Sequence, residues 1–129
     1  MEKQLSNWII DYITEQPGGF AHKRLSNGST STNGWPDVTG SLIFPAAGHL
    51  FAIRLEVEVK QPGKIPDQLQ YSLLRRFRRL GIIAFWTDSR EDFLNKLQIW
   101  SNVASGKAKH PGYRDITGKK VCILGDLLV

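Results

Sequence analysis

The segment Leu55-Glu56-Val57-Glu58-Val59-Lys60 alternates apolar and charged residues without a break. Only an extended strand gives such a pattern two coherent faces, because successive side chains leave on opposite sides. Leu55, Val57 and Val59 then share one face, and Glu56, Glu58 and Lys60 share the other. Upstream, Gly34-Trp35-Pro36-Asp37 reads as a turn that delivers a further carboxylate just before the apolar run Val38 to Phe44. Pro45-Ala46-Ala47-Gly48 is expected to turn the chain. The run Phe51 to Lys60 then pairs back as the second strand of an antiparallel hairpin with a loop of four or five residues.

The remaining segments fall around this hairpin. Leu5, Trp8, Ile9, Tyr12 and Ile13 recur at helical spacing, which predicts a first helix over 3–15 that stops at Pro17-Gly18-Gly19. Residues 20–25 read as a short strand, and 26–34 as a polar loop expected to be mobile. After Gln61-Pro62-Gly63, Pro66 and Asp67 open a second helix, with both expected in its first turn. Its predicted apolar stripe is Leu69, Leu73, Phe77 and Leu80, with Leu74 beside it and Gly81 as the C-terminal cap. Ile82 to Trp86 is continuously apolar and reads as a strand buried on both faces. A capping pattern over Ser89 to Asp92 begins a third helix whose buried side is Phe93, Leu97 and Trp100. Residues 101–120 are polar, and Val121 to Leu124 reads as a last strand. Phe51 through Trp86 suits a right-handed strand–helix–strand crossover. The expected class is α/β, a mixed β-sheet flanked by helices in one domain spanning 1–129.

The chain has 129 residues and a net charge of +5. Residues 60–81 carry Lys60, Lys64, Arg75, Arg76, Arg78 and Arg79 against Asp67 alone, an excess as large as that of the whole chain. Such a stripe suits a phosphate-bearing partner, although basic residues also serve as solvated helix faces. A helix turns by about 100° per residue, so the four arginines cannot all face one duplex. No apolar run approaches the roughly 18–20 residues of a membrane span. The start, Met1-Glu2-Lys3-Gln4, lacks a secretory h-region, and the single cysteine, Cys122, precludes an internal disulfide. A cytoplasmic location in a phage-infected or bacterial cell is expected.

Asp37 and Glu58 are candidate ligands for Mg²⁺ (or Mn²⁺), with the Val59 backbone carbonyl as a further oxygen donor. Lys60 follows Glu58 by two residues on one strand face, close enough to act on the same phosphate. Glu56 has three readings: a second metal's ligand, a charge partner for Arg54 or Lys60, or a solvated acid. His22 and Arg24 share an expected strand face and are candidates to touch phosphate, as are Lys64, Arg75, Arg76 and Arg79. Trp35 has two readings, base stacking or packing at an interface. His49 and His110 lack the ligand pattern of a zinc site, Cys122 reads as a small core residue, and no Walker-type phosphate loop is present.

Pro36-Asp37, an apolar strand, a turn, Glu58-Val59-Lys60 and a basic helix bearing Gln70 together resemble the PD-(D/E)xK nuclease superfamily, and within it the VRR-NUC (virus-type replication-repair nuclease) family. The resemblance covers roughly residues 2–100. It implies an αβββαβ, restriction-endonuclease-like core and metal-dependent endonucleolytic cleavage of DNA. It assigns metal binding to Asp37 and Glu58, assistance of the attacking water to Lys60, and a hydrogen bond near the site to Gln70. The family often has a helix-one acid at the metal, which points to Glu2; the alternative is an acid serving the helix dipole. Stand-alone members are similar to Holliday-junction resolvases, so the resemblance also implies a homodimer acting on branched DNA. Three rival readings remain open: a sequence-specific restriction or transposition nuclease, a non-catalytic nucleic-acid-binding module on the same fold, and a structural or interaction protein.

Overall fold

The structure, a computed structural model, describes residues 2–25, 34–46, 49–104, 113–114 and 120–121. Its elements are α1 (Glu2–Glu15), β1 (Phe20–Lys23), β2 (Val38–Ala46), β3 (His49–Val59), α2 (Gln68–Arg79), β4 (Ile83–Thr87), α3 (Arg90–Ala104), β5 (Tyr113–Arg114) and β6 (Lys120–Val121). The first four strands form one sheet in the order β1-β2-β3-β4. The β1–β2 and β2–β3 pairs are antiparallel, and β3–β4 is parallel through the α2 crossover. This is the mixed sheet with flanking helices expected from the sequence. β5 and β6 form a separate antiparallel pair. Cys122 and the rest of the expected last strand lie outside the described residues, as do residues 26–33 of the polar loop.

The alternation in β3 is buried on both sides. Leu55, Val57 and Val59 enter a core with Ile9 and Ile13 of α1, Val38 and Leu42 of β2, Ile83 and Phe85 of β4, and Phe93 of α3. Trp8, Tyr12 and Phe93 close this layer edge to face at 5.9 Å. On the opposite face, α2 lays Leu74 and Phe77 against Ile82 and Ala84, with Trp35, Leu73 and Trp86 packed around them. Full burial of each such side chain contributes about 1.5–3 kcal/mol. Glu56 and Glu58 therefore lie beneath a helix, at 0% and 3% exposure.

Three local expectations are corrected. The apolar stripe of α2 is rotated: Leu69 and Leu80 are exposed, while Leu74, Phe77 and Arg78 are buried. Arg78 follows Leu74 by four residues and so falls on the same face; its Nε donates to the Ala84 carbonyl at 2.6 Å. It is therefore withdrawn from the arginines available to a partner. Second, Asp67 is the N-cap of α2 and Pro66 precedes it, so neither lies in the first turn. Third, the hairpin strands run closer to the turn than Pro45 suggested, because the register continues to Ala46 opposite His49. The β1 pairing extends only from Val38 to Ser41, which leaves a proline at position 45 tolerable. Gly81 ends α2 as expected, in the left-handed region at φ +82° with its N–H on the Arg78 carbonyl.

β1 approaches β2 closely at Gly40, which pairs with Ala21. A Cβ at Gly40 would lie 2.1 Å from the Phe20 carbonyl oxygen and 2.7 Å from the Ala21 Cα, both backbone atoms. Gly40→Ala must therefore displace β1. It is expected to destabilise the protein by about 1–3 kcal/mol, as measured by urea unfolding.

Candidate active site

The β2–β3 register pairs Val38 with Val57, so Asp37, one residue before β2, arrives opposite Glu58. The Asp37 Oδ2 accepts from the Val59 N–H at 3.0 Å. The Asp37 backbone carbonyl accepts from the Arg24 N–H at 2.7 Å. In an extended strand the N–H and C=O of one residue leave on the same edge, so the Val59 carbonyl also faces Asp37. Lys60 leaves β3 on the other edge, its N–H bonded to the Thr87 carbonyl of β4 at 2.9 Å.

Gln70 joins α2 to this arrangement through both ends of its amide. Its Oε1 accepts from the Asp67 N–H at 2.9 Å, and the Asp67 Oδ1 accepts from the Gln70 N–H at 2.9 Å. This is a capping box at the helix start. With Oε1 committed to the cap, the amide orientation is set by hydrogen bonding. Its Nε2 is left to donate to Glu58 Oε1 at 3.3 Å. The Asp67-x-x-Gln70 spacing carries that signal in the sequence.

The other oxygen of Glu58, Oε2, is buried and has no hydrogen-bond partner among the described residues. Asp37 adjoins it and is also an acceptor when ionised, so the two carboxyls satisfy each other only through a shared proton. Burial, that contact and the Asp37 charge push the Glu58 carboxyl up from 4.5 to about 9; the Lys60 ammonium pulls it back, and Glu2 adds to the rise. Two adjoining carboxyls with an unsatisfied oxygen form a hard, anionic donor set of the kind that suits Mg²⁺ or Mn²⁺.

Glu2 has a hydrogen bond of its own. Its Oε1 accepts from the Gln61 N–H at 3.1 Å, tying the start of α1 to the end of β3. Among the described residues no three His, Cys, Asp or Glu side chains gather closely enough to hold a metal. The pair Asp37 and Glu58 is thus the acidic centre, and Glu2 acts on it through its charge.

Glu56 is a charge partner, as one of its readings held, and it is not solvated. It accepts from Arg24 Nη2 at 2.8 and 2.9 Å, from Thr39 Oγ1 at 3.0 Å and from Arg54 Nε at 3.0 Å, with a further contact from Arg54 Nη2. Arg24 is a sequence candidate for touching phosphate. It is instead turned inward, with its Nε donating to the Pro36 carbonyl at 3.0 Å. Trp35 packs edge to face on Phe77 at 5.7 Å, beneath the Arg24 guanidinium at 4.7 Å. His22, Lys64, Arg75, Arg76 and Arg79 are exposed. The three arginines line an open groove of about 630 Å³ along α2 with Leu69, Tyr71 and Ser72.

No family model matches the chain, and no curated protein matches it. Among solved structures, a VRR_NUC domain protein has a similar architecture. The likeness covers 81% of this chain and 91% of that one, at a TM-score of 0.57 and 16% sequence identity. The fold is that of a VRR_NUC domain protein. The sheet and the crossover helix thus belong to a known architecture.

The raised Glu58 carboxyl has a consequence for stability. In the unfolded chain it ionises near 4.5, and in the folded chain near 9. Between those values the folded state binds the extra proton, so stability is full below pH 4.5 and is lost as pH rises through 9. In EDTA, the unfolding free energy is expected to fall from pH 5 to pH 9, and Glu58→Gln to flatten that fall, as measured by urea titrations across the range.

Proposed function

We propose that this chain is a divalent-metal-dependent endonuclease that hydrolyses phosphodiester bonds in DNA. The observation that carries the reading is the buried Glu58 oxygen without a donor, set against a second carboxyl with an amine close by. The architecture shared with the VRR_NUC domain protein supports the same reading.

In this reading Asp37 and Glu58, with the Val59 carbonyl, hold Mg²⁺ or Mn²⁺. Bound there, the cation would polarise a phosphodiester and lower the pKa of water. Glu58 would give up its proton on binding a cation. Gln70 keeps the Glu58 carboxyl turned toward Asp37 through the hydrogen bond that its Nε2 donates to Oε1. The Val59 N–H fixes the Asp37 carboxylate. The Lys60 ammonium stands over the same phosphate, orienting the attacking water and offsetting the negative charge that develops in the transition state. Arg75, Arg76 and Arg79, with Lys64 and His22, serve the sugar-phosphate backbone, which positions a substrate without reading its sequence.

Selectivity for branched DNA and a homodimer follow from the similarity of stand-alone family members to Holliday-junction resolvases. A dimer would bring two sites to one junction, so that paired nicks resolve it. No helix among the described residues is long and apolar enough to cross a membrane, and a cytoplasmic DNA substrate fits this reading.

With Mg²⁺ or Mn²⁺, purified protein is expected to nick four-way junctions and flaps faster than linear duplex. Asp37→Ala and Lys60→Ala should each slow cleavage by about 10²–10³-fold, and unchanged rates in both would end the assignment. In Ca²⁺, junction binding should weaken steeply with salt. Arg75→Ala, Arg76→Ala and Arg79→Ala, measured by fluorescence anisotropy, should each reduce the salt slope by about 1. Cleavage restricted to one duplex sequence would favour the restriction-type reading, and binding without cleavage the non-catalytic one.

A further inference from the structure

Glu56 is completely buried, two residues before Glu58 on the same strand face. A buried carboxylate is costly unless it is paired and hydrogen-bonded. Two arginines share it, and they differ in what else they hold. Arg54 is 47% exposed, and its other contact is the Phe77 ring at 5.4 Å. Arg24 is 19% exposed and reaches in the opposite direction. Its guanidinium covers the Trp35 ring, its Nε binds the Pro36 carbonyl, and its backbone N–H binds the Asp37 carbonyl. One residue thus grips three successive positions, the last of which is Asp37.

That grip matters because of where Asp37 lies. It precedes the first paired residue of β2, at the end of the ladder, where its backbone carbonyl is held by the Arg24 N–H. Its carboxylate has one backbone hydrogen bond from the strand beside it, that of the Val59 N–H. We propose that Arg24, clamped by the buried Glu56, is the positioning residue for Asp37. Glu56 fixes the far end of the guanidinium, and the near end then holds the Trp35-Pro36-Asp37 backbone against β3. Gln70 does for Glu58 what Arg24 does for Asp37, from the other side of the site. The metal-binding part of this inference rests on the proposed function; the positioning of the Asp37 carboxylate does not.

The two arginines supply the control. Arg24→Ala and Arg54→Ala each remove one cation from Glu56, but only the first releases Pro36 and Trp35. Arg24→Lys keeps the charge without the fork and guards against loss of folding. Amide hydrogen exchange by NMR reads the Val59 N–H without any metal. It is expected to quicken by about tenfold in Arg24→Ala and Arg24→Lys, the cost of about one hydrogen bond. The Val57 amide is expected to keep its protection, and both amides to be unchanged in Arg54→Ala. Mn²⁺ affinity, measured by electron paramagnetic resonance, is expected to fall by about 10–100-fold in both Arg24 variants and to hold in Arg54→Ala. Wild-type exchange at Val59 in Arg24→Lys, or equal effects from Arg54→Ala, would overturn the proposal. Absence of Mn²⁺ binding by the wild-type protein would refute the metal site, and the amide comparison would still decide the role of Arg24.

Discussion

Covering β3 on both faces is the constraint from which the site follows. A half-solvated sheet would leave Glu56 and Glu58 in water, where they would have ordinary carboxylate properties. Docking α2 through Leu74 and Phe77 removes that water, and each acid must then find partners inside the protein. Glu56 finds two arginines and a threonine hydroxyl. Glu58, two residues on, finds one amide and a second carboxyl, and one of its oxygens has no donor among the described residues. The same strand face therefore carries a satisfied acid and an unsatisfied one. The first serves structure, and the second is the one proposed to hold a cation.

Much of this was readable in the sequence. The period-two run from Leu55 to Lys60 set the strand and its faces, and the continuous apolar stretch after Gly81 set β4 as a strand covered on both sides. The spacing from Asp37 to Glu58 suited a hairpin that brings the two together, and the register does so. What escaped was mostly non-local. Arg24 and Glu56 are 32 residues apart, and no pattern within either segment announces their pairing. Arg24 looks like any basic residue on an edge strand until the fold turns it inward.

The reading of α2 failed for a different reason. Four apolar residues, Leu69, Leu73, Phe77 and Leu80, fit a helical stripe, but Leu69 and Leu80 lie near the helix ends and beyond the reach of β4. The buried face is shorter and includes Arg78, whose long stem packs while its head bonds to a carbonyl. Hydrophobic periodicity identified the helix correctly and misjudged its rotation, because an arginine with an internal acceptor competes for a place that hydropathy awards to leucine.

The cap on α2 ties local order to chemistry. Gln70 closes the first turn with its carbonyl oxygen and reaches the acidic centre with its nitrogen. Fraying of that turn would free the amide to rotate, and Glu58 would lose its donor in the same event. The opening of a single helical turn, among the least costly motions available to a folded chain, would thus be transmitted directly to the most strongly perturbed carboxyl among the described residues.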